Sequence, residues 1–178
     1  MLRVQTWNRT VDFVNETGEP GWVAGTNDGK SIFLQPLATL ARKGILKATL
    51  RHELAHVAIH RLRSAAIPPW FEEGLALYLT GEQIDVGPYP VFSRRSLGDA
   101  IARPKSEGEM REAYARARLL IKRLARRRGQ DALWQMLEHP AATDINWLKT
   151  ESEQPVAPSP AAAPNGRARA SRTASPTK

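Results

Sequence analysis

Residues 50–79 read LRHELAHVAIHRLRSAAIPPWFEEGLALYL, and this stretch decides the fold. Leu46, Leu50, Leu54 and Val57 recur at the spacing of one helix face, which predicts a helix running to about residue 63. Pro68 and Pro69 break the chain. Proline is tolerated in a first helical turn, so a second helix is predicted over residues 70–80, stopped by Gly81. An antiparallel hairpin of the two helices would bring the start of the second back over the middle of the first.

Within the first helix, His52-Glu53-Leu54-Ala55-His56 matches the pattern H-E-x-x-H. Residues four apart on a helix lie one turn above each other, about 6 Å apart. Two imidazoles so placed can bind one zinc ion with their nitrogens at about 2.0–2.1 Å. Glu53 projects beside them, where it can take a proton from a water. Burying two histidines and a glutamate without partners is costly, and a metal is the economical explanation.

Zinc needs a third protein ligand, with a fourth position left for water. His60 is eight residues from His52, a rise of about 12 Å, too far to share one ion with it. The metzincin continuation requires Gly and His three and six residues after His56, where this chain has Ile59 and Leu62. His139 comes late, beside Pro140. A carboxylate remains, either Glu72 or Glu73, and helix periodicity does not choose between them.

Working outward, residues 2–7 alternate apolar and polar side chains, as a half-buried strand does. A short helix is predicted over 10–16, capped by Gly18. Trp22-Val23-Ala24 and residues 31–34 flank Asn27-Asp28-Gly29, the signature of a β-hairpin, and Pro36 ends its second strand. Residues 82–106 read as a loop with at most a short helix. A long helix is predicted over 109–128, with Ala113, Ala117, Leu120, Ile121 and Leu124 as its apolar stripe and Gly129 at its end. A short helix over 132–138 follows, with a further turn at Asn146-Trp147-Leu148. Strands first and helices after them imply an α+β fold. From Thr150 the composition shifts to Pro, Ala, Ser and Arg, which cannot bury enough surface to offset ordering entropy. The expectation is one domain over 1–149 and a disordered tail over 150–178.

The 178 residues include no cysteine, which excludes disulfides, thiolate zinc ligands and thiol catalysis. The formal charge is +8. Arg116, Arg118, Lys122, Arg123, Arg126, Arg127 and Arg128 crowd one helix. A solvated amphipathic face is the favoured reading and a phosphate-binding stripe the alternative. The tail adds Arg167, Arg169, Arg172 and Lys178. No apolar run reaches the roughly 20 residues that span a bilayer. Residues 1–7 lack the apolar core of a signal peptide, so a cytoplasmic protein is expected unless a leader precedes this chain.

Residues 50–79 resemble the gluzincin metallopeptidases, and among them the short peptidase MA-like domains. Members carry H-E-x-x-H and then Trp-x-x-Glu-Gly-x-Ala on the following helix. Here the second pattern reads Trp70-Phe71-Glu72-Glu73-Gly74-Leu75-Ala76. The resemblance implies a zincin-like fold, a Zn2+ cofactor held by His52, His56 and Glu73, Glu53 as general base, and a peptide or protein substrate. It places Glu72 at a variable position. It also makes Tyr114 a candidate oxyanion donor, with an ordinary core tyrosine as the alternative. Residues 31–35 become a candidate groove wall, because a sheet edge before the metal helix pairs with extended substrate in this clan. Thermolysin-type members carry an Asp four residues after the third ligand. That position is Leu77 here, so another group must support the histidines. Two rivals remain: a protease recruited to DNA by the basic helix, and a non-catalytic basic binding module.

Overall fold

The computed structural model describes residues 1–85 and 96–140. The predicted turn at 146–148 and the predicted tail lie outside the described residues. In chain order the elements are β1 (Arg3–Thr6), α1 (Thr10–Thr17), β2 (Gly25–Asn27), β3 (Ser31–Leu34), α2 (Leu37–Arg42), α3 (Leu46–Leu62), α4 (Pro69–Thr80), α5 (Leu97–Ala102), α6 (Glu107–Arg128) and α7 (Asp131–Glu138). This is an α+β protein with a three-stranded sheet and a mostly helical remainder.

The hairpin turn forms where the sequence places it. Gly29 adopts φ +80°, and Asp28 Oδ1 accepts from the N–H groups of Lys30 and Ser31 at 2.8 and 2.6 Å. The first strand of the hairpin, however, is Gly25–Asn27 and not Trp22–Ala24. The reason lies in Gln35. Its side-chain amide donates to the carbonyls of Gly21 and Val23 at 2.8 and 2.6 Å and the Val23 N–H turns back to the Pro20 carbonyl, so the ladder bonds to the neighbouring strand begin only at Ala24. β3 lies between β2, antiparallel to it, and β1, parallel to it. Both edges of β3 are therefore occupied, and the expected groove wall at 31–35 is not a free edge. The edge beside the helices belongs to β2. β1 is also more exposed than its alternation suggests, with Val4 54% exposed.

The sequence reading missed α2, which starts after Pro36 and ends where Gly44 turns the chain at φ +71°. α5 is the short helix expected within 82–106. α6 begins two residues earlier than predicted because Ser106 caps it: Ser106 Oγ accepts from the Glu109 N–H, and Glu109 Oε2 accepts from the Lys105 N–H.

Two apolar cores share α3. Ile32, Leu34, Leu40 and Val57 close the sheet side. Ile59 joins the helical core of α4, α6 and α7, where Ala113, Ala117, Leu120, Ile121 and Leu124 are all buried, as the stripe predicted. The inward face of α3 differs from the expected one. Thr49, Glu53 and His56 are buried with Val57 and Ile59, whereas Leu54 is 41% exposed. The polar groups face inward because the surrounding elements supply them with partners. No helix among the described residues is long and apolar enough to cross a membrane.

Candidate metal centre

α3 carries His52, Glu53 and His56 one turn apart, and the Pro68-Pro69 break returns the chain as α4 so that Glu72 and Glu73 face them. α4 also sits very close to α6. A Cβ at Gly74 would meet the Ala117 carbonyl oxygen at 2.5 Å and Ile121 Cγ1 at 2.8 Å, so only glycine permits this approach.

The geometry chooses between the two acids. His52 Nε2 and His56 Nε2 lie 3.1 Å apart. Glu73 Oε2 is 3.5 Å from the first and 3.4 Å from the second. Three ligands of a tetrahedral zinc ion with bonds near 2.0–2.1 Å lie roughly 3.3 Å from one another. These three atoms match that triangle. They are the group of His, Asp and Glu side chains, among the described residues, close enough to hold a metal ion. Glu73 Oε2 is buried with no hydrogen-bond partner and only the two imidazoles at 3.4–3.5 Å beside it, an acceptor that a cation would satisfy. The residues fit zinc.

Glu72 does different work. Its Oε1 lies 3.3 Å from His56 Nδ1 and 2.8 Å from His60 Nε2, and its Oε2 accepts from the Arg63 guanidinium at 2.8 Å. Arg63 also donates to His60 Nδ1 at 2.9 Å. Arginine has no acceptor, so His60 carries its proton on Nε2 and gives it to Glu72. His60 is thus tied to Glu72 and is no ligand of the triangle. Behind the other imidazole, Glu82 Oε2 is 3.4 Å from His52 Nδ1. Leu77 carries no acid, and these two carboxylates are the ones that lie beside the Nδ1 atoms. On His56, the Glu72 carboxylate at Nδ1 fixes the tautomer that leaves the Nε2 lone pair for a metal.

Charges in the cluster reinforce one another. Burial pulls the His52 imidazole down, but the Glu73 and Glu82 carboxylates outweigh it and lift the pKa to about 9. Burial likewise opposes the charge on His56, and Glu73 and Glu72 raise it to about 10. Burial alone would raise Glu73, yet the two imidazoles hold it well below the ordinary carboxylate range. Burial pushes the Glu53 carboxyl up, with the histidines and Asn27 opposing.

Glu53 is held from the sheet side, where the Asn27 amide donates to its Oε2 at 2.8 Å. The hairpin turn itself rests on the site: a Cβ at Gly29 would meet His60 Nδ1 at 2.8 Å. Tyr114, on α6, lies with its ring nearly parallel to that of His52, the centroids 6.4 Å apart and the planes 14° apart. Burial raises its hydroxyl pKa well above the ordinary value, and the Glu73 and Glu53 charges add to this.

All five residues singled out from the sequence, His52, Glu53, His56, Glu73 and Tyr114, therefore border one cleft of about 480 Å³. Sequence reasoning missed the parts played by Asn27, Glu72 and Glu82. Asn27 looked like a turn residue, and no helical spacing relates it or Glu82 to the histidines. No protein-family model, curated protein or solved structure matches this chain.

Proposed function

We propose that this protein is a zinc-dependent metallopeptidase of the gluzincin type, built on a zincin-like fold. The observation that carries the reading is the triangle of His52 Nε2, His56 Nε2 and Glu73 Oε2 at 3.1–3.5 Å, with Glu53 beside it. Zinc held there would supply a Lewis acid that polarises a carbonyl and makes water acidic enough to ionise near pH ~7.

The chain's own residues supply the rest. Glu53 takes the proton of the attacking water as general base and passes it to the leaving amine. Its burial makes it a stronger base than an exposed glutamate, and Asn27 holds it in one orientation. Tyr114 donates its hydroxyl to the carbonyl oxygen as negative charge develops there. The edge of β2, which no other strand among the described residues covers, aligns the substrate. Ala24 and Asp28 bond to Gln35 and Ser31 of the neighbouring segment, so by antiparallel alternation Gly25 and Asn27 turn their N–H and C=O groups away from β3. An extended peptide can pair with those groups.

Two measurements on purified full-length protein test the reading: zinc stoichiometry, and cleavage of an unbiased peptide mixture by wild type and Glu53→Gln. One zinc per chain with cleavage by wild type alone is expected. Equal trace cleavage by both proteins would rule the hydrolase reading out.

A further inference from the structure

The ligand triangle does not sit at a blind end. His52, Glu53, Tyr114, Gly25 and Met110 border the 480 Å³ cleft and also a second one of about 400 Å³. The two clefts, the first and second lobes of the site, share these residues as a common wall, and the rest of their linings differ in chemistry.

The second lobe is walled by Trp22, Ile45, Leu77, Ile84 and Met110. The charges at its rim are paired among themselves or with the site: Arg111 lies 3.3 Å from Glu107, and Glu82 lies 3.4 Å from His52. That leaves apolar surface for an incoming side chain. Trp22 is 39% exposed, and covering it would remove apolar area from water.

The first lobe runs past Glu19 and Pro20, and its wall also carries Arg103, whose guanidinium lies 4.0 Å from the Asp99 carboxylate. Glu19 is half-buried, and no Lys, Arg or His among the described residues forms an ion pair with its carboxylate. Burial raises its pKa, the Thr26 hydroxyl partly offsets this, and the nearby Glu73 charge adds to the rise. A half-buried acid so placed gains most from a cation brought by a ligand.

We propose that the two clefts form one trough that takes an extended polypeptide across the ligand triangle and cuts it internally, between a bulky apolar residue seated against Trp22, Ile45 and Met110 and a basic residue seated against Glu19. The assignment rests on the peptidase reading above. It adds a substrate class: the interior of chains in which large apolar and basic residues adjoin. A terminus-trimming enzyme needs one side closed around a charged end, whereas among the described residues His52 and Glu53 are bordered by two clefts.

The test uses zinc-loaded full-length protein and a peptide mixture blocked at both ends and varied at the two positions around the cut, with products read by mass spectrometry. Leu, Phe or Met on one side and Arg or Lys on the other should be favoured over Ala and Asp by about tenfold or more. Glu19→Gln should erase the basic preference, and Glu19→Arg should turn it toward acidic residues, with zinc content unchanged. Ala48→Trp, at an exposed position on the wall of the second lobe, should shift that preference toward small residues. Binding of the same peptides to Glu53→Gln protein, measured by calorimetry, should follow the same order. Cleavage with flat preferences, or of free-ended peptides alone, overturns this inference and leaves the peptidase reading standing. Failure of the zinc-loaded protein to cleave any peptide removes both.

Discussion

Glu72 and Glu73 are neighbours in the chain, yet they address opposite nitrogens of one imidazole: Glu72 Oε1 is 3.3 Å from His56 Nδ1, and Glu73 Oε2 is 3.4 Å from His56 Nε2. One acid faces the putting-together point of three ligand atoms, and the other stands behind the ring. The two should therefore fail differently. Glu73→Ala removes the proposed third ligand and should abolish stoichiometric zinc. Glu72→Ala should keep zinc but weaken its affinity by about 10–100-fold, the usual cost of losing a carboxylate behind a ligand histidine. Competition with a chromophoric chelator measures both. Retention of zinc by Glu73→Ala with loss in Glu72→Ala would exchange the two roles.

If Glu53 and Tyr114 act as proposed, replacing either should affect turnover and leave zinc binding intact. Glu53→Gln is expected to lower kcat by about 10²–10⁴-fold. Tyr114→Phe is expected to lower it by roughly 10²-fold with little change in KM, because its hydroxyl acts on charge that develops only in the transition state. Zinc analysis of each variant checks that the triangle survives. Full activity in Tyr114→Phe would return that residue to a packing role.

Gly74 links the helical core to the site. Alanine there gains about 1 kcal/mol of helix propensity, but its Cβ would lie 2.5 Å from the Ala117 carbonyl oxygen. That contact is with backbone, so α4 must shift away from α6, and overpacking of this kind costs about 1–3 kcal/mol. Gly74→Ala should lower the melting temperature. It should also weaken zinc binding, since Glu73 is the adjacent residue. Thermal unfolding with and without zinc measures both effects.

Acidity should act on the metal-free protein in two directions. The imidazoles of His52 and His56 rise from an ordinary 6.5 to about 9 and about 10, so their contribution to stability is complete below pH 6.5 and is lost as pH climbs through 9 to 10. Glu73 is depressed from an ordinary 4.5, so its contribution is complete above pH 4.5 and is lost on acidification below it. Metal-free protein should thus be steadiest between these limits. Zinc displaces the imidazole protons, so its affinity should increase with pH, and binding should release protons measurable by calorimetry in buffers of different ionisation heat. A zinc affinity flat between pH 6 and 9 would contradict this.

Much of this protein is legible from local sequence. The helix bearing His52 and His56, the Pro68-Pro69 break, the buried stripe of α6 and the Asp28-Gly29 turn all follow from spacing and turn chemistry, because each depends on residues within a few positions of one another. The limits of that reading are equally physical. Leu54 looks like a core residue by periodicity but faces outward, because Asn27, Glu72 and Glu73 give the polar side of α3 its partners inside. Trp22–Ala24 looks like a strand but is held by the Gln35 side chain.

The sequence by itself determined the two imidazoles one helical turn apart, the glutamate between them and an acidic pair soon after a chain break. Only the tertiary structure decided which acid meets both rings, which acids stand behind them, and which strand edge borders the cleft. Those choices depend on how α4 is set against α3 and α6, and on β3 being the middle strand. Contacts between residues 16 to 30 positions apart, such as His56 with Glu72, Asn27 with Glu53 and His52 with Glu82, leave no periodic trace in a sequence.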